Sequence, residues 1–559
     1  MADAIDQGRD MLDTGVAEAL PKTLGAVPAY AAARWPQRQA LYFEGRSWTF
    51  AELEAETDRT AAALLAAGVR PRDKVALWIT NRPEFLFAFF ATLRIGAVAV
   101  PLNIRWRTRD LLQALHHCEA STLISEVEAG PVDFQAMVRE ALGDVRPAGD
   151  HELSSATCPA LRRVVFLSGH SVPGALRWDD MLALPARSAP DAVAQLARDV
   201  DPEGLAMLVY TSGTTGAPKA VMLSHKGIEP SLHRASMLGM SEKSVQIVYL
   251  PLFHIYGLIF AVLPSLLTGV KQVLMHRFDA HEALRLIAEQ RGTIVHGFDT
   301  HYKELLEAYL APGASYDVGS LQWGTFSAGT ETARSVALKV QETLCRTIST
   351  YGQSELWGTV AAGPAGCTIE QSCEASGVPL PGVEVRIVDP LTRVDVAPGE
   401  VGEILVRCGS SMLGYYNAEE ETRATRDDEG WVRTGDAGCM RADGHLRFLG
   451  RFKDMLKVGG ENVDPAEIEA LLLECPLVDQ AAVVACPDER LSEVAAAFIV
   501  PATGAHPDEI RRQVEALCRG RVASFKIPRR VEVIAALPVN AAGKVDKKLL
   551  RQQLQAMNG

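Results

Sequence analysis

Residues 210 to 219 read Tyr210-Thr211-Ser212-Gly213-Thr214-Thr215-Gly216-Ala217-Pro218-Lys219. Apolar runs at residues 205–209 and 221–223 flank this loop, and they predict two short buried strands. Glycines let backbone N–H groups turn toward a ligand, hydroxyls donate hydrogen bonds, and lysine adds a compact positive charge. The loop therefore indicates a binding site for a triphosphate, and a plain Gly/Ser/Thr turn is the alternative. Its spacing differs from that of a Walker A loop, because the Gly-Lys-Ser/Thr ending and a following helix start are missing.

The size, charge and cysteine content of the chain narrow its class. Its 559 residues exceed what one hydrophobic core holds, so about two to four structural units are expected. A net charge of -13 without a basic patch argues against a nucleic-acid partner. The ten cysteines form no CxxC pair, which favours buried reduced thiols in a cytoplasmic protein over a zinc site or disulfides.

The sequence predicts neither a signal peptide nor a membrane span. Residues 1–13 are acidic and polar, whereas a signal peptide has a basic start and an apolar core. The longest apolar stretch, residues 85–102, is interrupted by Arg94 and Gly96, and it predicts a buried helix that leads into a strand. We therefore expect no integral membrane segment.

Strands and helices alternate from residue 41 onward. Residues 47–50, 75–78 and 97–101 have the pattern of strands, and the stretches between them have the pattern of helices. Such alternation is typical of parallel sheets covered by helices. Residues 127–190 are richer in Pro, Gly and Ser and are predicted to be surface insertions, and residues 370–450 are predicted to form a β-rich lobe.

The last hundred residues predict a separate small unit. Asp464 is a good N-cap with Pro465 at the first helical position, and the helix should end near residue 475. Two strands, a helix over residues 508–517 and a strand over 530–533 follow. We predict an α/β protein with a large N-terminal domain of parallel-type sheets flanked by helices, a β-rich lobe, and a small mobile α+β C-terminal domain. The expected boundaries are a flexible leader 1–25, an N-terminal domain 26–450 with the lobe at about 370–450, a hinge 451–453, and a C-terminal domain 454–559.

Two further segments carry groups suited to a nucleotide. In Tyr351-Gly352-Gln353-Ser354-Glu355 the aromatic ring can stack on a base and the carboxylate suits Mg²⁺, although a solvated glutamate at a strand end is the alternative. In Thr434-Gly435-Asp436, placed in a turn, the aspartate can accept ribose hydroxyls, and an Asx turn is the alternative.

Three other positions are less specific by themselves. The double glycine Gly459-Gly460 lets a long ligand pass close to the backbone, or it forms an ordinary hairpin turn. Lys544 lies on a glycine-containing loop, where a lysine is usually solvated. His254 stands in an apolar stretch, either as a core histidine or as part of a pocket wall.

In this order and spacing, the segments resemble the adenylate-forming superfamily, which comprises acyl-CoA synthetases, luciferases and the adenylation domains of peptide synthetases. The similarity runs from about residue 41 to residue 550, nearly the whole chain. It implies a two-step reaction, in which a carboxylate attacks the α-phosphate of MgATP to give acyl-AMP and pyrophosphate. A thiol, usually that of coenzyme A, then displaces AMP. Positioning and electrostatic stabilisation would supply most of the catalysis, because several charged groups must be held together.

The resemblance also implies a role for individual residues. Those implied for ATP are Thr211, Ser212, Gly213, Thr214, Thr215 and Lys219 at the β- and γ-phosphates, Gly329 and Thr330 beside the adenine, Tyr351 stacked on it, Gly352 where the backbone approaches the ligand, Ser354 at phosphate, and Asp436 and Arg451 at the ribose. Glu355 would hold Mg²⁺. Lys544 would bridge the attacking carboxylate and the α-phosphate.

The family rotates its C-terminal domain between the two steps. The pivot implied here is Lys453, and the rotation would withdraw Lys544 from the site. Gly459 and Gly460 would then line a tunnel for the pantetheine arm of CoA. His254 would gate that tunnel and close one wall of the acyl pocket.

The acyl-CoA ligase branch fits best. Amino-acid adenylation domains place an aspartate at the position of His254 to pair with the substrate ammonium, so an amino acid is not expected. The acyl pocket is expected from residues 253–260, 296–302, 324–326 and 356–361, which mix apolar groups with Trp323, Trp357, His296 and Asp299. They suit a medium-chain, bulky or cyclic acid, and a fatty chain is equally defensible. The expected partners are this acid and CoA, and a homodimer stays open.

Two alternatives remain at this point. Ala220 follows Lys219 where family members usually have glycine, and the adenine-side segment also departs from the common pattern. These departures allow a ligase that only converts a preformed acyl-adenylate. A catalytically degenerate nucleotide- or acyl-binding protein is the alternative of another class, although such a protein would not need Lys544.

Overall fold

The computed structural model describes residues 20–185, 191–211, 219–326, 331–364, 366–452, 456–458, 461–463, 465–488, 491–519, 521–522, 526–540 and 545–558. Within these residues the protein is α/β, as the alternation of patterns predicts. Two large sheets and an antiparallel lobe precede a small C-terminal α+β unit. No helix in these ranges combines the length and the apolarity that a membrane crossing requires.

The first sheet has nine strands. Their spatial order is Arg46–Thr49, Gln39–Phe43, Lys271–Leu274, Val245–Val248, Ile294–His296, Trp323–Phe326, Arg346–Gln353, Gly358–Ala362 and Val378–Pro379. The strands from Gln39–Phe43 to Arg346–Gln353 pair in parallel, and the outer ones pair antiparallel. The inner strands are short and buried, which is usual where helices cover both faces of a parallel sheet.

The second sheet has eight strands. Their order is Leu176–Arg177, Arg163–Phe166, Thr122–Ser125, Lys74–Trp78, Val98–Pro101, Leu205–Thr211, Lys219–Ser224 and Gly414–Tyr415. The strand Leu205–Thr211 is parallel to Val98–Pro101 and antiparallel to Lys219–Ser224. The phosphate loop therefore joins two neighbouring strands near the end of this sheet. Two small hairpins, Glu128–Ala129 with Val132–Asp133 and Val145–Gly149 with Glu152–Ser155, lie outside it.

Helices connect and cover the strands. Their bounds are Val27–Arg34, Phe50–Ala66, Pro83–Arg94, Thr108–His117, Phe134–Leu142, Trp178–Leu182, Ala192–Asp199, Ile228–Met237, Gly257–Val262 (a π-helix), Leu263–Thr268, Ala280–Gln290, Asp299–Leu310, Glu331–Thr343, Ile369–Glu374, Glu419–Thr425, Pro465–Leu473, Pro507–Cys518 and Lys547–Asn558, with 3-10 turns at Leu24–Ala26 and Ser354–Leu356. The helix Pro83–Arg94 is buried on nearly all sides, as its apolar sequence predicts.

The lobe and the C-terminal unit are built on smaller sheets. The lobe sheet is antiparallel in the order Val383–Val388, Gly402–Cys408, Val432–Met440 and Leu446–Arg451. The C-terminal sheet orders Glu461–Val463, Leu456–Val458, Ser492–Pro501 and Val478–Asp488, and Arg530–Val533 pairs with Ser492–Pro501. The helix Pro465–Leu473 packs against it. The helices and strands predicted for the last hundred residues are confirmed, whereas the predicted N-cap Asp464 lies outside the described residues.

Two expectations differ from the structure. Residues 163–166, placed among surface insertions, form a fully buried strand of the second sheet, because Arg163–Phe166 pairs with both Thr122–Ser125 and Leu176–Arg177. Packing also starts before residue 26. Leu24 is buried, and Arg94 Nε donates a hydrogen bond to Gly25 O at 3.1 Å, so the end of the expected leader belongs to the N-terminal domain.

All ten cysteines lie in the described ranges and are unpaired. Only Cys408 is partly exposed, and the other nine are buried. These residues behave as small core side chains, in agreement with the sequence prediction.

Candidate functional site

The predicted triphosphate loop is flanked by two antiparallel strands, Leu205–Thr211 and Lys219–Ser224. Thr211 faces Lys219 across the strand pair, and Thr211 Oγ1 donates a hydrogen bond to Lys219 O at 3.5 Å. Ser212, Gly213, Thr214 and Thr215 lie outside the described residues. The residues at the two ends of the loop, Thr211 and Lys219, are thus held together by strand pairing.

Ala220 fits this strand pair without strain. It lies in regular strand opposite Tyr210, and its carbonyl accepts a hydrogen bond from Tyr416 N at 2.9 Å. Its methyl group is buried in the hydrophobic cluster on this side of the sheet. Since no positive φ occurs here, the position has no conformational need for glycine.

A tyrosine links Lys219 to Glu355. Glu355 lies on the 3-10 turn Ser354–Leu356, and its Oε1 accepts a hydrogen bond from Tyr415 Oη at 2.8 Å. Tyr415 belongs to the strand that pairs with Lys219–Ser224, and Lys219 Nζ lies 4.9 Å from the centroid of its ring. Burial and the neighbouring Glu355 charge raise the pKa of the Tyr415 hydroxyl, so this group stays a donor.

The carboxylate of Glu355 suits a magnesium ion that also binds phosphate. In the described ranges no group of three or more His, Cys, Asp or Glu residues is placed to hold a metal by itself. Mg²⁺ in nucleotide sites is commonly held by one or two carboxylates together with substrate phosphates and water. Glu355, with one oxygen oriented by Tyr415, fits that pattern.

The segment Thr434-Gly435-Asp436 lies in a bulged strand rather than in the expected turn. Glu403 pairs with Ala437 and Leu405 pairs with Arg433, so residues 434–436 together oppose residue 404. Gly435 has a φ of 68°, a conformation that glycine adopts without strain. Thr434 Oγ1 closes the bulge by donating to Ile404 O at 2.6 Å. The bulge re-aims the Asp436 side chain while the strand continues.

Asp436 is buried and is bound by three side chains. Its Oδ2 accepts hydrogen bonds from Tyr351 Oη at 2.8 Å and from Gln353 Nε2 at 2.5 Å, and its Oδ1 lies 2.7 Å from Arg451 Nε. Burial, followed by the Asp436 charge, raises the pKa of Tyr351 far above its usual value. Three residues predicted for the nucleotide, Tyr351, Asp436 and Arg451, therefore meet in one cluster.

The backbone around Gly352 leaves no room for a side chain. A Cβ at Gly352 would lie 1.9 Å from Gly358 O, so no larger residue fits beside the neighbouring strand.

His254 is partly exposed, and its Nδ1 accepts a hydrogen bond from Tyr256 N at 3.3 Å. Its Nε2 therefore carries the proton when the ring is neutral.

Several predicted residues lie outside the described ranges: Gly329, Thr330, Lys453, Gly459, Gly460 and Lys544. The strands on either side of Gly459 and Gly460, Leu456–Val458 and Glu461–Val463, pair antiparallel. The loop of Lys544 has described ends, because Val539 and Val545 form a bridge. Arg105 Nη1 donates to Asn540 O at 3.3 Å, and this contact joins the loop to the N-terminal domain.

The four segments expected to form the acyl pocket converge. Thr325 Oγ1 lies 2.8 Å from Tyr256 Oη and 2.6 Å from His296 Nδ1. The Phe260 ring lies 5.4 Å from that of His296, and Arg234 Nη2 donates to Trp357 O at 2.8 Å while its guanidinium lies 6.0 Å from Phe260. Contacts thus connect the π-helix, two parallel strands and the Trp357 segment.

Comparison with known proteins identifies the family. Residues 29–416 match the family described as AMP-binding enzyme, and residues 467–544 match the AMP-binding enzyme C-terminal domain. The chain belongs to the AMP-binding enzyme family. Its relatives are acyl-CoA ligases, and the protein is an AMP-forming acid–CoA ligase of a family that uses ATP, Mg²⁺ and CoA.

Individual relatives match over nearly the whole chain. The 3-[(3aS,4S,7aS)-7a-methyl-1,5-dioxo-octahydro-1H-inden-4-yl]propanoyl:CoA ligase of Mycobacterium tuberculosis is 35% identical over 522 residues, covering 92% of this chain and 96% of its own. The mitochondrial medium-chain acyl-CoA ligase ACSF2 of Bos taurus is 28% identical over 554 residues, covering 96% and 88%. The crystal structure of the anthranilate CoA ligase AuaEII with anthranoyl-AMP superposes with a TM-score of 0.85 at 25% identity, covering 97% and 99%.

Sequence reasoning missed three side chains that orient the site. Tyr415 donates a hydrogen bond to Glu355, and Gln353 donates one to Asp436. Arg234 donates a hydrogen bond to the backbone carbonyl of Trp357. Gln353 lies within the segment Tyr351–Glu355, which the sequence analysis had already assigned to the nucleotide, so its position in the sequence could have indicated a role. Tyr415 and Arg234 are distant in sequence from the groups they bind, and only the folded chain brings them together.

Proposed function

We propose that this ligase activates a medium-chain, bulky or cyclic hydrophobic carboxylic acid as its acyl-adenylate and then transfers the acyl group to CoA. The observation that carries the proposal is a pair of side-chain clusters. In one, Tyr415 contacts both Lys219 and Glu355, and in the other, Asp436 contacts both Tyr351 and Arg451. The first presents a cation and a carboxylate together, as a triphosphate with Mg²⁺ requires. The second presents an oriented carboxylate for ribose hydroxyls.

The chemistry divides among these residues as follows. Mg²⁺, when bound at Glu355, would neutralise phosphate charge. Lys219 and the hydroxyls of the loop, Thr211 among them, would hold the outer phosphates, while Tyr351 and Asp436 fix the nucleoside. Lys544 would contact both the attacking carboxylate and the α-phosphate, because one cation between two anions removes the repulsion that keeps them apart. His254 would separate the acyl pocket from the path of CoA.

The proposed domain arrangement adds a change of position between the two steps. We infer a hinge at residues 451–453, with Lys453 as the pivot and the C-terminal domain from residue 454 onward. Gly459 and Gly460 would approach the site for the second step. Reduced, mostly buried cysteines support a cytoplasmic location for the enzyme.

The choice of acid follows from the converging segments. Phe260, Tyr256 and Phe298 form an aromatic wall, with ring centroids 4.8 Å and 5.3 Å from Tyr256. Such a wall favours an apolar or cyclic acyl group over a small polar one. The relatives named for a medium-chain acid and for a ring-containing propanoate are consistent with this range.

A panel of carboxylic acids tests the proposal. Each acid is incubated with ATP, Mg²⁺ and CoA, and pyrophosphate release and acyl-CoA formation are measured separately, the latter by mass spectrometry. We expect both signals with medium-chain or cyclic acids. Consumption of CoA from synthetic acyl-AMP without any pyrophosphate release would instead support the preformed-adenylate alternative, and neither signal with any acid would exclude ligase activity.

The role of Lys544 is tested in the same assays. Lys544→Ala should abolish pyrophosphate release and largely spare the reaction of synthetic acyl-AMP with CoA. Lys548→Ala is the matched control, because Lys548 is exposed on the following helix. Equal loss of both half-reactions in Lys544→Ala would contradict the assigned role.

A further inference from the structure

Two buried ring nitrogens in the acyl-pocket segments have no hydrogen-bond partner. Among the described residues of 253–260, 296–302, 324–326 and 356–361, His296 Nε2 and Trp357 Nε1 are the buried side-chain polar atoms left without one. His296 is 2% exposed and Trp357 is 0% exposed. Buried polar groups are normally paired, so each of these two nitrogens would be stabilised by a hydrogen bond to water or to a ligand.

The hydrogen-bond chain that ends at His296 can run in two directions, and one of them makes Nε2 a donor. Tyr256 Oη and His296 Nδ1 both contact Thr325 Oγ1, which has one proton to donate. When Tyr256 donates to Thr325 and Thr325 donates to Nδ1, the imidazole proton lies on Nε2. Burial lowers the pKa of His296 to about 3, which keeps the ring neutral and preserves this arrangement. The indole Nε1 of Trp357 can only donate.

A buried cation adds to the excess of donors. Arg234 is 1% exposed and donates to Trp357 O, Thr359 O and Ser231 Oγ. No aspartate or glutamate of the described chain forms an ion pair with it, and the groups it binds are neutral. The Arg234 guanidinium and the His296 ring both contact the Phe260 ring. The Arg234 guanidinium carbon lies 6.0 Å from the centroid of that ring, and the centroid of the His296 ring lies 5.4 Å from it. A positive charge at this place favours an electron-rich group nearby.

We propose that His296 carries its proton on Nε2, and that the acid substrate has an oxygen acceptor, a ketone carbonyl or a second carboxylate remote from the reacting carboxylate, which this N–H binds. This inference rests on the proposed function, since it assumes that the acyl group enters the converging segments. A pure hydrocarbon tail would leave the His296 N–H unpaired and dry. An oxygen acceptor would pair with it and would benefit from the Arg234 charge.

Matched acids test the inference directly. The probes are 3-cyclohexylpropanoate against 3-(4-oxocyclohexyl)propanoate, and nonanoate against 8-oxononanoate and nonanedioate. We expect kcat/KM for pyrophosphate release to be about tenfold higher for an oxygenated acid than for its hydrocarbon partner, the order expected for pairing one buried donor. A larger rate with nonanedioate than with 8-oxononanoate assigns the acceptor as a carboxylate, and the reverse order assigns it as a ketone. Equal or higher rates with the hydrocarbon acids would overturn the inference.

Variants of His296 separate recognition from folding. His296→Phe keeps an aromatic ring of similar size but has no N–H, so the preference for oxygenated acids should disappear while hydrocarbon acids improve. His296→Gln retains an acceptor for Thr325 and a donor beyond it, and should retain part of the preference. His281→Phe is the matched control, because His281 is exposed and pairs with Tyr316. A preference unchanged in His296→Phe would contradict the assigned contact.

Calorimetric binding of the same acids keeps the test independent of turnover. Tighter binding of the oxygenated partner by wild-type protein, lost in His296→Phe, would support the inference even without pyrophosphate release. Equal affinities for both partners would overturn it. Absence of pyrophosphate with every acid would count against the proposed function alone, so the two failures are distinguishable.

Discussion

Tyr415 Oη donates a hydrogen bond to Glu355 Oε1 at 2.8 Å, and this bond joins two sheets. Tyr415 belongs to the last strand of the second sheet, whereas Glu355 follows a strand of the first. The same tyrosine ring lies beside Lys219 Nζ. One side chain thus orients the carboxylate proposed for Mg²⁺ and contacts the lysine proposed for phosphate.

Removal of this hydroxyl should weaken magnesium binding. Tyr415→Phe keeps the ring beside Lys219 but frees the Glu355 carboxylate to rotate, so we expect the Mg²⁺ concentration for half-maximal pyrophosphate release to rise about tenfold, the order of one charge-assisted hydrogen bond. Tyr416→Phe is the control, because its hydroxyl contacts Glu119 at an exposed position instead. An unchanged Mg²⁺ requirement in Tyr415→Phe would show that Glu355 needs no such support.

Gly352 should not tolerate even an alanine. A Cβ there would lie 1.9 Å from Gly358 O and 2.5 Å from Thr359 Cα, both backbone atoms that cannot yield without moving the strand. We expect Gly352→Ala to raise the KM for ATP and to lower the melting temperature, since Tyr351 and Glu355 lie on the same segment. Gly409→Ala meets no atom within 4 Å and serves as the comparison in thermal unfolding and ATP titration. Similar behaviour of the two variants would refute the steric argument.

Arg105 should favour the first half-reaction. Its Nη1 donates to Asn540 O at 3.3 Å, four residues before Lys544, from an exposed position. Arg105→Ala should slow pyrophosphate release about two- to fivefold, the effect of one neutral-acceptor hydrogen bond, and should spare CoA consumption from synthetic acyl-AMP. Arg109→Ala, also exposed, is the control. Slowing of both half-reactions to the same extent would argue against a role in presenting the Lys544 loop.

Stability should fall in mild acid because buried histidines must become charged. Burial lowers the pKa of His225 and of His301 to about 4, against an ordinary value near 6.5. Between those values the unfolded chain binds more protons than the folded one. Stability is therefore full above pH ~6.5 and is lost as pH falls toward ~4, by about 1.4 kcal/mol per pH unit for each group.

Urea unfolding at several pH values measures this effect. His225 Nδ1 accepts a hydrogen bond from Leu24 N at 3.1 Å, and glutamine can replace that acceptor without titrating. His225→Gln should flatten the pH dependence over this range, whereas His281→Gln, at an exposed histidine, should leave it unchanged. A slope unaltered in His225→Gln would mean that this histidine is not responsible.

The sequence was a good guide wherever the pattern is local. Apolar runs located the strands Lys74–Trp78 and Val98–Pro101 and the helix between them, because burial on every side requires continuous apolar residues. Residues 163–166 were wrongly predicted to lie in a surface insertion, because the local pattern there is weak. Their short run lies among polar insertions, and only pairing with Thr122–Ser125 makes it a sheet strand.

The aspartate at position 436 shows a second limit. Glycine beside Asp436 predicts a turn, and a turn residue was expected. The strand instead continues through a bulge, because Arg433 and Ala437 still pair with the neighbouring strand on either side. Local composition does not reveal such pairing, since the partner strand lies about thirty residues away in the chain.

By itself, the sequence determined the α/β class and the order of the structural units, and it selected the groups that we propose for ATP, because periodicity and motif spacing are properties of neighbouring residues. The phosphate loop was interpretable in the same way, from its own glycines, hydroxyls and lysine. The tertiary structure alone decided that Tyr415 lies between Lys219 and Glu355, that Tyr351 and Arg451 orient Asp436, and that the ring nitrogens His296 Nε2 and Trp357 Nε1 are buried without a partner among the described residues. These relationships arise from contacts between strands far apart in the chain, and such contacts leave no periodic signal in the sequence.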